Sequence, residues 1–88
     1  MLNTITETRK KEKIDLDILT LKILEKDFFR VYDNVDECAA YDLLRRYMIY
    51  KHDEGIPKEI EINFDDNQKI VTIVAKLNYL KIKNTVKS

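Results

Sequence analysis

The chain has a single glycine, proline, cysteine, histidine and serine, and no tryptophan, among its 88 residues. Each scarcity excludes something. Cys38 has no second cysteine to meet, which rules out a disulfide or a multi-thiolate metal centre within one copy and points to a reducing, cytoplasmic setting. Ser88, the terminal residue, is the only serine and His52 the only histidine, so a serine nucleophile backed by histidine and a carboxylate is not expected. Cys38 and His52 are the remaining nucleophile and base, but on one straight helix they would stand about 21 Å apart. With one glycine there is no phosphate-cradling loop and no dinucleotide fingerprint. No apolar run resembles a signal peptide or approaches the roughly 18 residues of a membrane span. These gaps lead us to expect a soluble, non-enzymatic protein with no cofactor, no metal and no membrane partner.

Charge of either sign is abundant but balanced, with 16 basic and 16 acidic residues. No global field therefore draws in nucleic acid or an anionic membrane. The distribution is uneven. Ten acidic residues face four basic ones between Asp33 and Asp66, whereas from Lys69 onward there are five lysines and no acid. A second basic cluster holds Arg9, Lys10, Lys11 and Lys13. Such asymmetry suits steering of a basic protein partner by the acidic middle segment. Lysine-rich composition with plentiful Ile and Asn also hints at an AT-rich genome, such as that of a phage or mobile element.

What is present is patterned apolar sequence. Val71, Ile73, Ala75, Leu77 and Tyr79 recur at every second position, with Ile70, Val74, Leu80 and Ile82 on the opposite side, and this predicts a long strand buried partly on both faces. Ile60, Ile62 and Phe64 alternate with Glu59, Glu61 and Asn63 just upstream, and Asp65 to Gln68 supply a turn, so the two runs predict a β-hairpin. The favoured register sets Phe64 opposite Lys69, Ile62 opposite Val71 and residue 56 opposite Leu77. The second strand then overruns the first, and its unpaired edge, Asn78 to Ile82, suits pairing with an N-terminal segment or with the same strand of a second copy in a homodimer.

Ile18, Leu21, Leu24, Phe28 and Val31 predict a helix from about Asp17, capped by Asp15 or Asp17, although Ile14, Leu16 and Ile18 also alternate as a strand would. Asn34 with Glu37 suggests a capping box for a second helix, whose inner side carries Ala40, Leu43, Leu44, Tyr47 and Met48. Gly55 is placed to stop that helix. The expected fold class is α+β: two helices packed on a small antiparallel sheet built from a C-terminal β-hairpin, with room for an N-terminal extra strand. The domain spans 14–82, between a polar tail or edge strand at 1–13 and a basic tail at 83–88.

Carboxylates cluster at Asp33, Asp36 and Glu37, at Asp53 and Glu54, and at Asp65 and Asp66. All three groups fall where turns and helix caps use Asp, and none has the ligand spacing of a calcium loop. Cys38 is expected to pack as a small apolar residue and His52 to be solvated at a helix end. The positive signal is five tyrosines, a residue that anchors interfaces because it buries a large ring yet keeps a polar tip. Tyr41, Arg45, Arg46, Ile49 and Tyr50 share the outer side of the second helix, with Asp42 and Arg46 spaced for an ion pair, and form the candidate partner-binding patch. The expected function is protein-protein binding, as an adaptor, regulator or inhibitor. The alternative is a DNA- or RNA-binding regulator of winged-helix type, disfavoured because the wing tip Asp65 to Gln68 is acidic where phosphate contact wants Lys or Arg.

Overall fold

The computed structural model describes residues 5–79. Its elements run β1 (Thr6–Lys13), β2 (Leu16–Leu24), α1 (Glu25–Val31), α2 (Glu37–Tyr50), β3 (Ile56–Asp65) and β4 (Ile70–Asn78). The four strands form one antiparallel sheet in the order β1-β2-β4-β3, with both helices on one face. This is the expected α+β class, with the C-terminal hairpin extended by two N-terminal strands.

The core follows from period-two burial on the central strands. Leu19, Leu21 and Ile23 of β2 and Val71, Ile73, Ala75 and Leu77 of β4 point to the helices and are closed to solvent. Against them α2 lays Ala40, Leu43, Leu44, Tyr47 and Met48, the whole inner side expected from its spacing, and α1 adds Phe28. Phe28 meets Tyr32 at 5.1 Å and Phe29 at 5.3 Å between ring centroids, and Phe29 reaches Phe64 of β3 edge-on at 6.0 Å.

The expected helix from Asp17 is a strand up to Leu24, and only Glu25–Val31 is helical. Both periods fit these nine residues, and the sheet decides. β4 buries one face fully and half-buries the other, and with β3 on one edge it takes β2 on the other, in an unbroken register from Leu16 opposite Asn78 to Leu24 opposite Ile70. Leu21 and Phe28 are buried as expected, but Ile18 lies on the open face, Leu24 is partly exposed and Val31 is exposed. Neither Asp15 nor Asp17 caps α1, whose N-cap is Leu24 without a side-chain bond. In α2 the cap is Asp36, which accepts from the Ala39 backbone N–H at 2.9 Å, so Glu37 is the first helical residue and Asn34 lies outside. The helix ends at Tyr50. His52, at φ 58, takes the left-handed position expected of Gly55, which lies three residues further on with an ordinary φ.

The hairpin register is displaced by two residues from the expected one, with Phe64 opposite Val71 and Ile62 opposite Ile73. A shift of two keeps every side chain on its expected face. The cause is the turn. Asp65 still belongs to β3 and its Oδ1 accepts from the backbone N–H of Asn67 (2.9 Å) and Gln68 (3.1 Å), while Lys69 takes a positive φ of 58°. A bulge at Glu59, φ 50, then shifts pairing by one and sets Ile56 opposite Asn78. Asn78 is thus flanked on both sides, by Leu16 and Ile56, and offers no edge to a second copy; Leu80 to Ile82 lie outside the described residues. The hairpin is also no projecting wing, because β4 is a central strand.

Candidate functional site

Two surfaces carry the notable chemistry. One is the expected patch on α2; the other, on the helix side of β1, was not foreseen.

β1 has no apolar residue to bury. All eight of its residues are exposed, and those that pair with Leu21, Leu19 and Asp17 on the helix side are Glu7, Arg9 and Lys11. Charged groups stand where a core strand would place Leu or Val, and the neighbouring elements answer them. Arg9 donates from Nε to Glu7 Oε2 (3.1 Å), from Nη1 to the Tyr79 hydroxyl (2.9 Å) and to Asp17 Oδ2 (3.4 Å), and from Nη2 to Asp53 Oδ2 (2.9 Å). Tyr79 in turn donates to Asp53 Oδ1 at 2.8 Å, the same oxygen that receives the Gly55 backbone N–H at 2.9 Å. Tyr47 donates to Glu7 in a short hydrogen bond, and Lys11 pairs with Asp17 at 3.2 Å. One guanidinium thereby ties together β1, β2, the α2–β3 connection and the residue after β4, through four hydrogen bonds to three carboxylates and a phenol.

The titration of these groups follows from that geometry. At Glu7 the Tyr47 hydroxyl is the strongest influence and, with Arg9, outweighs burial and holds the carboxyl below its ordinary 4.5. At Asp53 burial is the largest single influence and pushes upward, but the Gly55 N–H, the Tyr79 hydroxyl and Arg9 together hold it below 3.8. Burial, reinforced by the adjoining carboxylates, pushes the Tyr47 and Tyr79 phenols up. Burial with Asp42 does the same to Tyr32, up to about 12. Carboxyls depressed in the folded state add stability that is complete above their unfolded pKa values and is lost as pH falls through the folded ones. The phenols act at the other end, with stability complete below about pH 10 and lost as pH rises beyond it. Thermal melts across pH are therefore expected to be level between about pH 6 and 9, falling below about pH 4.5 and again above about pH 10. A midpoint that rises on acidification from pH 5 to pH 3 would contradict this assignment.

A depression of about 510 Å³ opens beside the network, lined by Arg9, Asp53, Tyr79 and the loop residues Lys51, His52 and Glu54. Arg9 and Asp53 spend their polar atoms on each other and on Tyr79, so the network's chemistry is that of a latch.

The second surface is the outer half of α2. Tyr41, Ile49 and Tyr50 are 53%, 63% and 64% exposed, and Arg45 and Arg46 are exposed between them. The helix thus brings together all five residues singled out from the sequence. Arg46 pairs with Asp42 at 3.0 Å as its spacing foretold, and Asp42 also accepts from the Tyr32 hydroxyl at 2.8 Å. Arg45 makes no ion pair with the described residues. Tyr41 also borders a groove of about 470 Å³ between the start of α2 and β3, lined by Cys38, Pro57 and Ile60 with Glu37 and Glu59 at its rim. Cys38 is exposed there, against the expectation that it packs inside, because it sits in the first turn of α2 ahead of the buried stripe. His52 is solvated as expected.

Of the five tyrosines, only Tyr41 and Tyr50 face outward; Tyr32, Tyr47 and Tyr79 are bound to Asp42, Glu7 and Asp53. The acidic clusters do local work: Asp36 caps α2, Asp65 orders the hairpin turn and Asp53 holds Gly55. The signal for the latch was the i, i+2 run Glu7, Arg9, Lys11, which becomes one face only once the segment is known to be a strand.

Fold and surfaces together define a two-layer α+β domain with one exposed helix face. No helix among the described residues is long and apolar enough to cross a membrane. No family model, curated protein or solved structure matches the chain.

Proposed function

We propose that this protein acts by binding another protein through the outer half of α2. The observation that carries this reading is the exposure of Tyr41, Ile49 and Tyr50, each more than half open to solvent, around the arginines on one helix. Large amphipathic rings and arginine are the side chains that concentrate binding energy at interfaces, and a rigid helix presents them at little entropic cost. Asp33, Asp36 and Glu37 lie about the start of the helix and Arg45 and Lys51 toward its end, so the face has a charge gradient. The complementary partner is an amphipathic segment whose apolar side chains meet Tyr41, Ile49 and Tyr50 and whose carboxylates reach Arg45. The groove beside Tyr41 has room for one further apolar side chain.

The test is capture from the native host's lysate with and without nuclease, comparing the natural chain with Ile49→Asp and Arg45→Glu. Both sites are exposed, so the variants should melt within about 0.5 kcal/mol of the natural chain. A stoichiometric protein partner retained by the natural chain and reduced tenfold or more by either change is the expected result. A partner held equally by both variants would overturn the reading, and so would material lost on nuclease treatment, which would favour nucleic-acid binding instead.

A further inference from the structure

No apolar side chain of β1 anchors it. Six of its eight residues are charged and all eight are exposed; Ile5, just ahead of the strand, packs on the core. Beyond its ladder with β2, the strand is held by Arg9 and Glu7, which meet Asp17, Asp53, Tyr79 and Tyr47 of other elements. Lifting β1 away returns charged groups to water, but it strips Asp17 and Asp53, whose side chains are 11% and 10% exposed, of their shared cation. Whatever replaces β1 must restore that cation, and a second β1 does so.

The connection to β2 is a turn of two residues, Ile14 and Asp15. Loops of this length favour turns in which a central residue takes a positive φ, and neither of these does. Ile14, a β-branched residue suited to strands, is 86% exposed there. From Thr6 opposite Lys22 to Lys11 opposite Asp17 the β1–β2 pairing is regular; it then breaks at Glu12, so that Lys13 faces Leu16 and the turn can close. Continued without the break, the same register sets Glu12 opposite Leu16, Lys13 opposite Asp15 and Ile14 opposite Ile14. One chain cannot make the last pair, but two copies can.

We infer that two copies of this chain exchange β1. Ile14 and Asp15 extend, β1 and β2 become one continuous strand, and two such strands run antiparallel about a two-fold axis through the Ile14 pair, each β1 beside the other copy's β2. Arg9 of one copy then meets Asp17, Asp53 and Tyr79 of the other, and the latch is built twice. At the centre the bulge is gone and Lys13 faces Asp15 twice, a cross-strand pair of opposite charge. The far edge of the extended strand is already in place: the Tyr79 backbone N–H donates to the Asp15 carbonyl at 2.9 Å, carrying the β2–β4 ladder one residue past Leu16. The axis stands perpendicular to the sheet, so the helices of both copies lie on one side and both α2 faces are presented together. Exchange keeps the contacts of the closed chain and is opposed by the entropy of association, so concentration during folding sets the balance.

The test is refolding from urea at about 5 µM and about 500 µM, followed by sedimentation, because only an exchanged form depends on concentration. The natural chain should gain a dimer at the higher concentration. Ile14→Asn with Asp15→Gly, which supplies the residues a closed two-residue loop favours, should lower the dimer fraction tenfold or more while circular dichroism shows the same fold. Exchange itself is read by refolding Thr8→Cys and Thr20→Cys chains together, both carrying Cys38→Ala, since directly opposed residues lie within disulfide range. Oxidation should give the mixed disulfide dimer in at least tenfold excess over either dimer of like chains. A monomer mass at both concentrations, a dimer indifferent to the turn variant, or a mixed disulfide no more abundant than the like ones would overturn the proposal. The turn variant alters no residue of α2, so partner capture with it reports separately on the function proposed above.

Discussion

Replacing Arg9 with methionine is expected to lower the free energy of unfolding by about 2 to 3 kcal/mol, a large share of the margin of so small a domain. Methionine keeps much of the side chain's length and packing, so the cost isolates the guanidinium. Its removal leaves Asp17 and Asp53, whose side chains are only 11% and 10% exposed, without their shared cation. Stranding a fully buried charge typically costs about 3 to 5 kcal/mol. The Arg9 side chain is itself 29% exposed and Lys11 still reaches Asp17, so the lower figure applies. Urea titration gives the magnitude, and hydrogen exchange gives the location: β1 amides should lose protection before those of β2 and β4. Arg9→Lys should recover only part of the loss, because an ammonium cannot reproduce the planar fork that meets Glu7, Asp53 and Tyr79 together. An Arg9→Met protein within about 0.5 kcal/mol of the natural chain would show that β1 is held by its backbone ladder alone.

Gly55→Ala is expected to cost about 1 to 3 kcal/mol. The reason is space and not backbone conformation, since Gly55 has no positive φ. A Cβ there would stand 2.8 Å from Tyr79 Cζ, 3.0 Å from Tyr79 Cε1 and 3.0 Å from Leu77 Cβ. Stiffening the unfolded chain by removing a glycine gains only about 0.4 to 1 kcal/mol, so the clash prevails. The Tyr79 ring is the one neighbour able to give way, because Leu77 is fixed in a central strand, and in moving it must pull its hydroxyl from Arg9 and Asp53. The two substitutions therefore act on one network, and the double variant should lose less than the sum of the singles by at least about 0.5 kcal/mol. Strict additivity in a denaturation cycle would separate Gly55 from the latch.

What was legible in the sequence was whatever one element decides alone. The inner side of α2, its outer patch and the period-two stripe of β4 follow from spacing within a single run, and each is where the spacing placed it. What was not legible depended on a second element. Leu16 to Leu24 fits either period, and only its place on the second edge of β4 makes it a strand. The Phe64 register was displaced because Asp65, read as part of the turn, closes β3 while its side chain orders the turn from outside. The latch was invisible for the same reason on a larger scale: Arg9 lies 44 residues from Asp53 and 70 from Tyr79, and a run of charges gives no sign that distant carboxylates converge on it. Inward-facing charge on β1 also explains why this edge strand is polar throughout: it discourages edge-to-edge pairing while the latch keeps it in the sheet.

The proposed docking of a protein partner on the outer half of α2 is open to direct test. Its most direct measurement is photo-crosslinking in the native host, with a benzophenone side chain replacing Tyr41 or Tyr50 and, as a control, Lys26 on α1. All three positions are exposed, so the fold is expected to tolerate the added ring. The expected result is one adduct to a different protein, formed from both Tyr41 and Tyr50 and absent from Lys26. Adducts from Lys26 alone, or none from either tyrosine position, would contradict it.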